Sequence, residues 1–186
     1  SQIDAISLAK TIDVAKKAAI KKIKVGDWPC SIKVSKDGSK DYVSCSGNMW
    51  NKVDIIDTSK NEKMGEITVG YGPRDIAISP DGKQLAVICD TVGSINRTVD
   101  FVDLSTNKVT EVRTLRHSAN LRGVAYSPDG KFVVVTIEKA KNWLPVCEAE
   151  NGEVFTNDIA VIETRPGGKT AQLPLDELNN YDGNPY

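Results

Sequence analysis

Apolar and polar residues alternate along most of the chain with a period of two. That period places successive side chains on opposite faces of a β-strand. Three alternating runs, "CSIKVS" (30–35), "DIAISP" (75–80) and "GVAYSP" (123–128), each lead into an Asp-Gly pair at Asp37, Asp81 and Asp129. A second apolar run follows each pair: "DYVSCS", "QLAVICD" and "FVVVTIE". The Asp-Gly pair is expected to supply the positive φ angles of a tight hairpin, so the two runs should pair antiparallel. A third strand comes next, as "VDIIDT" (53–58), "VDFVDL" (99–104) and "IAVIET" (159–164). "KMGEITVG" and "KVTEVRTL" supply a fourth, and Gly and Pro in "GDWPCS" and "GYGPRD" restart the cycle.

The turn aspartates are spaced 44 and 48 residues apart. Four short antiparallel strands in about 45 residues match a β-propeller blade in size and order. The predicted fold is therefore all-β, a propeller whose blades stack on one another through their apolar strand faces. The expected units are 3–25 (end of a preceding blade), 26–70, 71–116 and 117–175 (three blades), and 176–186 (start of a further blade). Residues 3–25 carry the Ala and Lys content of a helix. They also align with the third and fourth strands of the later units, and strands are the expectation. Three full blades and two partial ones do not close a ring of about 4–8 blades. The expectation is a piece of a longer propeller, or one completed by another chain.

The order Gly-x-x-Pro, alternating strand, Ser-Pro-Asp-Gly, apolar strand, "VDFVD" resembles the YVTN-repeat class of β-propellers across nearly the whole chain. The first copy departs from the pattern, with Lys36 where the others have Pro80 and Pro128. No Trp-Asp pair closes the third strands, so the WD-repeat class does not fit. The resemblance implies a periplasmic, cell-surface or extracellular protein that serves as a scaffold or as a subunit of a larger assembly. Some members are subunits of, or fused to, dehydrogenases and c-type haem proteins. Fold alone does not fix function, because propellers host enzymes and binding proteins alike.

Blade geometry sorts the unusual residues onto two faces. Loops leading into first strands, and loops joining second to third strands, share one face, here the loop face. The Asp-Gly hairpins share the opposite, turn face. The candidate binding residues Trp28, Trp50, Tyr71, Arg74, His117 and Arg122 fall on the loop face. So does an insertion at 138–158: turn aspartate and third strand lie 16 and 18 residues apart in two blades but 30 in the third. It contains Trp143, Glu148 and Glu150. An insertion confined to one repeat marks either a binding face or a tolerated surface loop. Arg74 and Arg122 hold equivalent places in successive blades. Either they form a shared anion site, or each pairs with a local acid such as Asp75 or Glu138.

The sequence has a formal net charge of -1, with 40% hydrophobic and 26% charged residues. That is a globular composition without the basic excess that nucleic-acid binding requires. No apolar run reaches the roughly 20 residues of a membrane span. Four cysteines suggest two candidate disulfides, Cys30 with Cys45 and Cys89 with Cys147; the alternative is four reduced thiols. Asn96-Arg97-Thr98 is a glycosylation sequon, in weak agreement with export. There is no C-x-x-C, no C-x-x-C-H and a single histidine. No metal site, covalent haem or other cofactor is therefore expected within this stretch. No nucleophile elbow or P-loop is present, so no catalytic residues are assigned.

Three functions fit these features. The first is a non-catalytic exported scaffold or protein-binding subunit that works through the loop face and the insertion. The second is the propeller part of a redox assembly whose cofactor lies outside this stretch. The third, a lactonase-type hydrolase, needs converging acids or histidines that this stretch offers in too small a number. Expected partners are other protein chains or the remainder of the propeller.

Overall fold

A computed structural model describes residues 8–13, 18–47, 50–90, 97–140 and 155–175. They form an all-β, partial β-propeller. β1 (Leu8–Asp13) and β2 (Ala18–Lys24) pair as a two-stranded antiparallel sheet. The first blade contains β3 (Pro29–Val34), β4 (Lys40–Cys45), β5 (Lys52–Asp57) and β6 (Glu62–Thr68). The second contains β7 (Pro73–Ile78), β8 (Gln84–Cys89), β9 (Arg97–Asp103) and β10 (Lys108–Leu115). The third contains β11 (Ser118–Tyr126), β12 (Phe132–Ala140), β13 (Phe155–Glu163) and β14 (Thr170–Pro174). Every sheet is a meander in chain order. First strands lie side by side, β7 against β3 and β11 against β7, and β2 sits by β6 as β6 sits by β10. By that placement β1 and β2 are third and fourth strands, which agrees with the strand reading of this segment.

Period-two patterning turns into packing between blades. The second blade points Ala77, Ala86, Ile88, Val99 and Phe101 toward Leu121, Val124, Val133, Val135, Ile137 and Ala160 of the third. Its opposite face places Ile76, Leu85, Val87 and Val102 against Tyr42, Val53, Ile55 and Ile67 of the first. Ile23 and Val25 close on Val43, Cys45 and Ile56 in the same way. The first and second blades thus contribute to two cores each and the third to one, and no blade has a core of its own. Continuous apolar runs such as "LAVIC" occur because both faces of those strands are covered.

The Asp-Gly hairpins differ in detail from the expectation, because only the glycine of each pair has positive φ. Each is a five-residue loop in which Gly38, Gly82 or Gly130 alone has positive φ. The Gly N–H donates to the carbonyl of Ser35, Ser79 or Ser127 at 2.8–2.9 Å, the bond of a type I turn. The serine hydroxyl donates to the turn aspartate at 2.6 Å in all three. The aspartate also accepts the N–H of Ser39, Lys83 or Lys131. Ser-x-Asp-Gly therefore recurs because the Ser–Asp clamp and the left-handed glycine build the same loop each time. The turns also stack, with the Lys36 side chain lying over Gly82 and Pro80 over Gly130.

Two outcomes follow. Phe101→Ala empties the middle of the core between the second and third blades, and should cost about 3–5 kcal/mol in chemical denaturation; a loss under about 1 kcal/mol would contradict this packing. Hydrogen bonds from Ser35, then from Ser39, hold the exposed Asp37 carboxyl down at about 2. Its folded value lies below the ordinary value of about 3.9. Its stabilising contribution is thus complete above about pH 4 and is lost as pH falls toward about 2. Asp37→Asn should flatten the dependence of Tm on pH in that window, and an unchanged slope would contradict the clamp.

Candidate functional site

The loop face is built at the starts of the first strands. A residue with left-handed backbone precedes each of them: Trp28 (φ 54), Gly72 (φ 65) and His117 (φ 55). In the first two blades its carbonyl accepts an N–H from the end of the second strand, Ser46 to Trp28 and Asp90 to Gly72, both at 2.9 Å. Glycine takes this conformation without penalty, whereas an L side chain is uncommon there. Trp28 and His117 thus hold the left-handed position that glycine holds in the second blade.

Just beyond lies a β-bulge. Register slips between Pro29 and Ser31, between Pro73 and Ile76, and between Leu121 and Gly123. Cys30, Arg74 and Arg122 are therefore the bulged residues of their blades, re-aimed out of the ladder. Arg74 Nε lies 3.1 Å from Asp90 and Arg122 Nη2 lies 3.1 Å from Glu138. Each arginine answers a local acid, and the pair does not form an open anion site. For Arg122 the acid is Glu138, as the sequence suggested. For Arg74 it is Asp90, because Asp75 reaches across to accept the Val124 N–H of the third blade at 3.1 Å.

Asp90 is the centre of the described loop face. Its buried carboxylate also pairs with Arg97, whose Nη2 donates to the Ala119 carbonyl at 2.7 Å. The resulting chain, Arg74–Asp90–Arg97–Ala119, ties the second blade to the start of β11 in the third. Arg122 carries the outward charge, while Trp28 and Tyr71 present exposed aromatic surface. Trp50 is half-buried and lies over Gly26, where a Cβ would fall 2.4 Å from its ring. Among the described residues no group of three or more His, Cys, Asp or Glu could hold a metal ion.

Two buried acids were not singled out from sequence. Asp54 Oδ2 accepts the Gly26 N–H at 2.8 Å, and Asp100 Oδ2 accepts the Gly70 N–H at 2.7 Å. Each fixes the loop entering its own blade. Asp54 is neutralised by Lys63 Nζ at 2.7 Å. Asp100 has the Thr98 hydroxyl at 3.0 Å instead, and burial pushes its carboxyl above the usual range. The repeated "VD" of "VDIID" and "VDFVD" was the available signal: an acid inside an otherwise apolar strand needs a donor.

The Cys30–Cys45 bridge does not form. Pro29, not Cys30, stands opposite Cys45, because the bulge displaces Cys30. Cys30 Sγ lies 2.9 Å from Ser46 Oγ and is exposed. Cys45 and Cys89 are buried free thiols. Burial, then the Asp54 carboxylate, pushes Cys45 up to about 12, and burial raises Cys89 well above its ordinary value. Cys147, Trp143, Glu148, Glu150 and Asn96 lie outside the described residues. The insertion does begin and end as strand, since β12 and β13 run on through Lys139↔Thr156 and Ala140↔Phe155. No described helix is long and apolar enough to cross a membrane.

No protein-family profile matches the chain. The chain is 58% identical over 145 residues to the hydrazine synthase subunit beta of Kuenenia stuttgartiensis, a match covering 77% of this chain and 38% of that protein. A solved structure of Kuenenia stuttgartiensis hydrazine synthase superposes with a TM-score of 0.88 and 59% identity, covering 96% of this chain and 51% of that one. The chain therefore spans about half of the solved relative, and less of the curated one. Dihydro-heme d1 dehydrogenase NirN, solved in complex with DHE, superposes with a TM-score of 0.66 at 14% identity over 92% of this chain and 34% of its own. That likeness concerns fold alone.

Among Cys30, Cys45 and Cys89, only Cys30 should react quickly with iodoacetamide in the folded protein near pH 7.5, and all three should react in denaturant. Peptide mass spectrometry reads the outcome; comparable labelling of Cys89 without denaturant would contradict the packing.

Proposed function

We propose that this chain is the propeller portion of a hydrazine synthase-type redox assembly, in the role of its beta subunit. The observation that carries the reading is 59% identity sustained over 96% of the chain at a TM-score of 0.88. Identity at that level preserves inter-blade packing and surface residues together. The redox-assembly alternative read from the sequence is thus favoured over a free-standing scaffold, and the lactonase-type reading has no support among the described residues. The repeat is of YVTN type, and the cofactors and reacting centre belong to other parts of the assembly. Export to a periplasmic or extracellular compartment accompanies this reading.

The role assigned to the chain is structural docking. Arg122, Trp28 and Tyr71 on the loop face, with the insertion between β12 and β13, form the surface that meets the other subunits. Aromatic and arginine side chains are the types that dominate protein interfaces. The Arg74–Asp90–Arg97 chain keeps that surface rigid, so less ordering entropy is lost on assembly.

Antibody depletion of the protein from a native cell extract tests the reading. Depletion should remove the extract's hydrazine formation, and the captured protein should carry other subunits in fixed proportion. An extract that keeps its full hydrazine formation, with the protein recovered alone, would overturn it.

A further inference from the structure

Asp-Gly is the aspartyl bond most prone to rearrange its own main chain. The glycine nitrogen bonds to the aspartate Cγ, the Cγ–OH bond breaks, and the amide proton leaves with that hydroxyl as water. Water then opens the five-membered imide at either carbonyl. One product is aspartate again. The other is isoaspartate, whose main chain runs through Cβ and is one atom longer. Glycine is the most reactive neighbour because no side chain shields its nitrogen. The turn face nevertheless needs glycine, since Gly38, Gly82 and Gly130 have φ of 72, 77 and 72. Three blades each carry this fragile pair at the hairpin between their first and second strands.

We propose that the Ser-x-Asp-Gly loop is also a chemical guard. Its serine clamp and turn geometry hold Asp37, Asp81 and Asp129 away from cyclisation, and Asp81 becomes an isomerisation site when the Ser79 hydroxyl is lost.

Both reacting groups are occupied. The glycine N–H donates to the carbonyl of Ser35, Ser79 or Ser127. A type I turn sets ψ of its third residue, here the aspartate, near about 0°. Ring closure must bring the glycine nitrogen level with Cβ, a rotation of about 120° around Cα–C that breaks this bond. The carboxylate is held as well. Its Oδ1 accepts the serine hydroxyl at 2.6 Å and the N–H two residues onward at 3.0–3.1 Å. That hydroxyl is itself fixed, accepting the N–H of Lys40, Gln84 or Phe132 at 2.9–3.0 Å. Attack needs the reacting atoms aligned and about 3–3.5 Å apart, and these bonds keep the carboxylate turned toward its donors. The same bonds, the serine's first, hold all three carboxyls below the usual range. The protonated acid is the form that readily loses its oxygen as water, so the reactive form is scarce near neutral pH.

Two of the loops have a further restraint. The Thr58 and Thr164 hydroxyls donate to the carbonyls of Gly38 and Gly130 at 2.7 and 2.8 Å. Leu104 takes that place in the second blade, where its N–H meets the Lys83 carbonyl but no hydroxyl reaches Gly82. The Asp81 loop therefore depends most on its serine. A longer main chain there would shift β7 against β8, whose apolar residues reach both neighbouring blades.

Peptide mass spectrometry with electron-transfer fragmentation separates isoaspartate from aspartate. The full-length protein is held near pH 6 at about 37 °C, folded and in guanidinium chloride. Isoaspartate should form at positions 37, 81 and 129 at least about tenfold more slowly in the folded protein. Ser79→Ala should raise the folded rate at Asp81 by about fivefold or more and leave Asp37 and Asp129 unchanged, whereas Ser79→Thr, which keeps the hydroxyl, should stay protected. Equal rates in folded and denatured protein would overturn the proposal. So would an unchanged rate at Asp81 in Ser79→Ala, or a rise of the same size at all three positions, since reactivity would then follow global unfolding and not the clamp.

Discussion

The structure depends on one constraint: a four-stranded sheet with two apolar faces must be covered on both. β8 and β9 illustrate it. Ala86, Ile88 and Phe101 leave the second blade on one side, while Leu85, Val87 and Val102 leave on the other. Neither set can be buried within the blade. Burial is worth about 25 cal/mol per Å² of apolar surface, and here it is obtained only by stacking. Blade order, strand order and the shared orientation of loops and turns follow from that stacking.

Polar groups then bridge the stacked blades and their loops. Asp75 crosses to the Val124 amide and the Ser44 hydroxyl crosses to the Arg74 carbonyl. Asp54 and Asp100 hold the loops that enter their own blades. The loop face inherits its rigidity from these bonds. Bulges at Cys30, Arg74 and Arg122 turn equivalent positions outward, and in the second and third blades those positions meet acids that hold them. The turn face has a more uniform construction, because Ser, Asp and Gly repeat there with the same hydrogen bonds.

The repeat was legible because its signals are local. Alternation, Asp-Gly and Gly-x-x-Pro each act within a few residues, so strands and their order could be read directly. The fate of the arginines was half legible: Glu138 was a named partner for Arg122, but Asp90 was not named for Arg74. A bulge had to displace the side chain before that contact existed, and a one-residue register slip leaves no mark in composition. The same slip explains the failed Cys30–Cys45 bridge. Asp54 and Asp100 escaped notice because an acid in an apolar strand reads as a surface residue until both faces of the sheet are seen to be covered. The hairpin was legible in place but not in form, since Asp-Gly does not reveal the Ser–Asp clamp around it or that the glycine alone takes positive φ.

The described propeller has a repeating body and one differentiated face. The central claim is that blades share their cores. Native-state hydrogen exchange on Ile76→Ala tests it most directly, because Ile76 belongs to the second blade and packs toward the first. The account predicts that amides of β4 and β5 lose protection together with those of β8 and β9. Loss confined to the second blade, with the first unchanged, would show that blades are stable on their own and would contradict it.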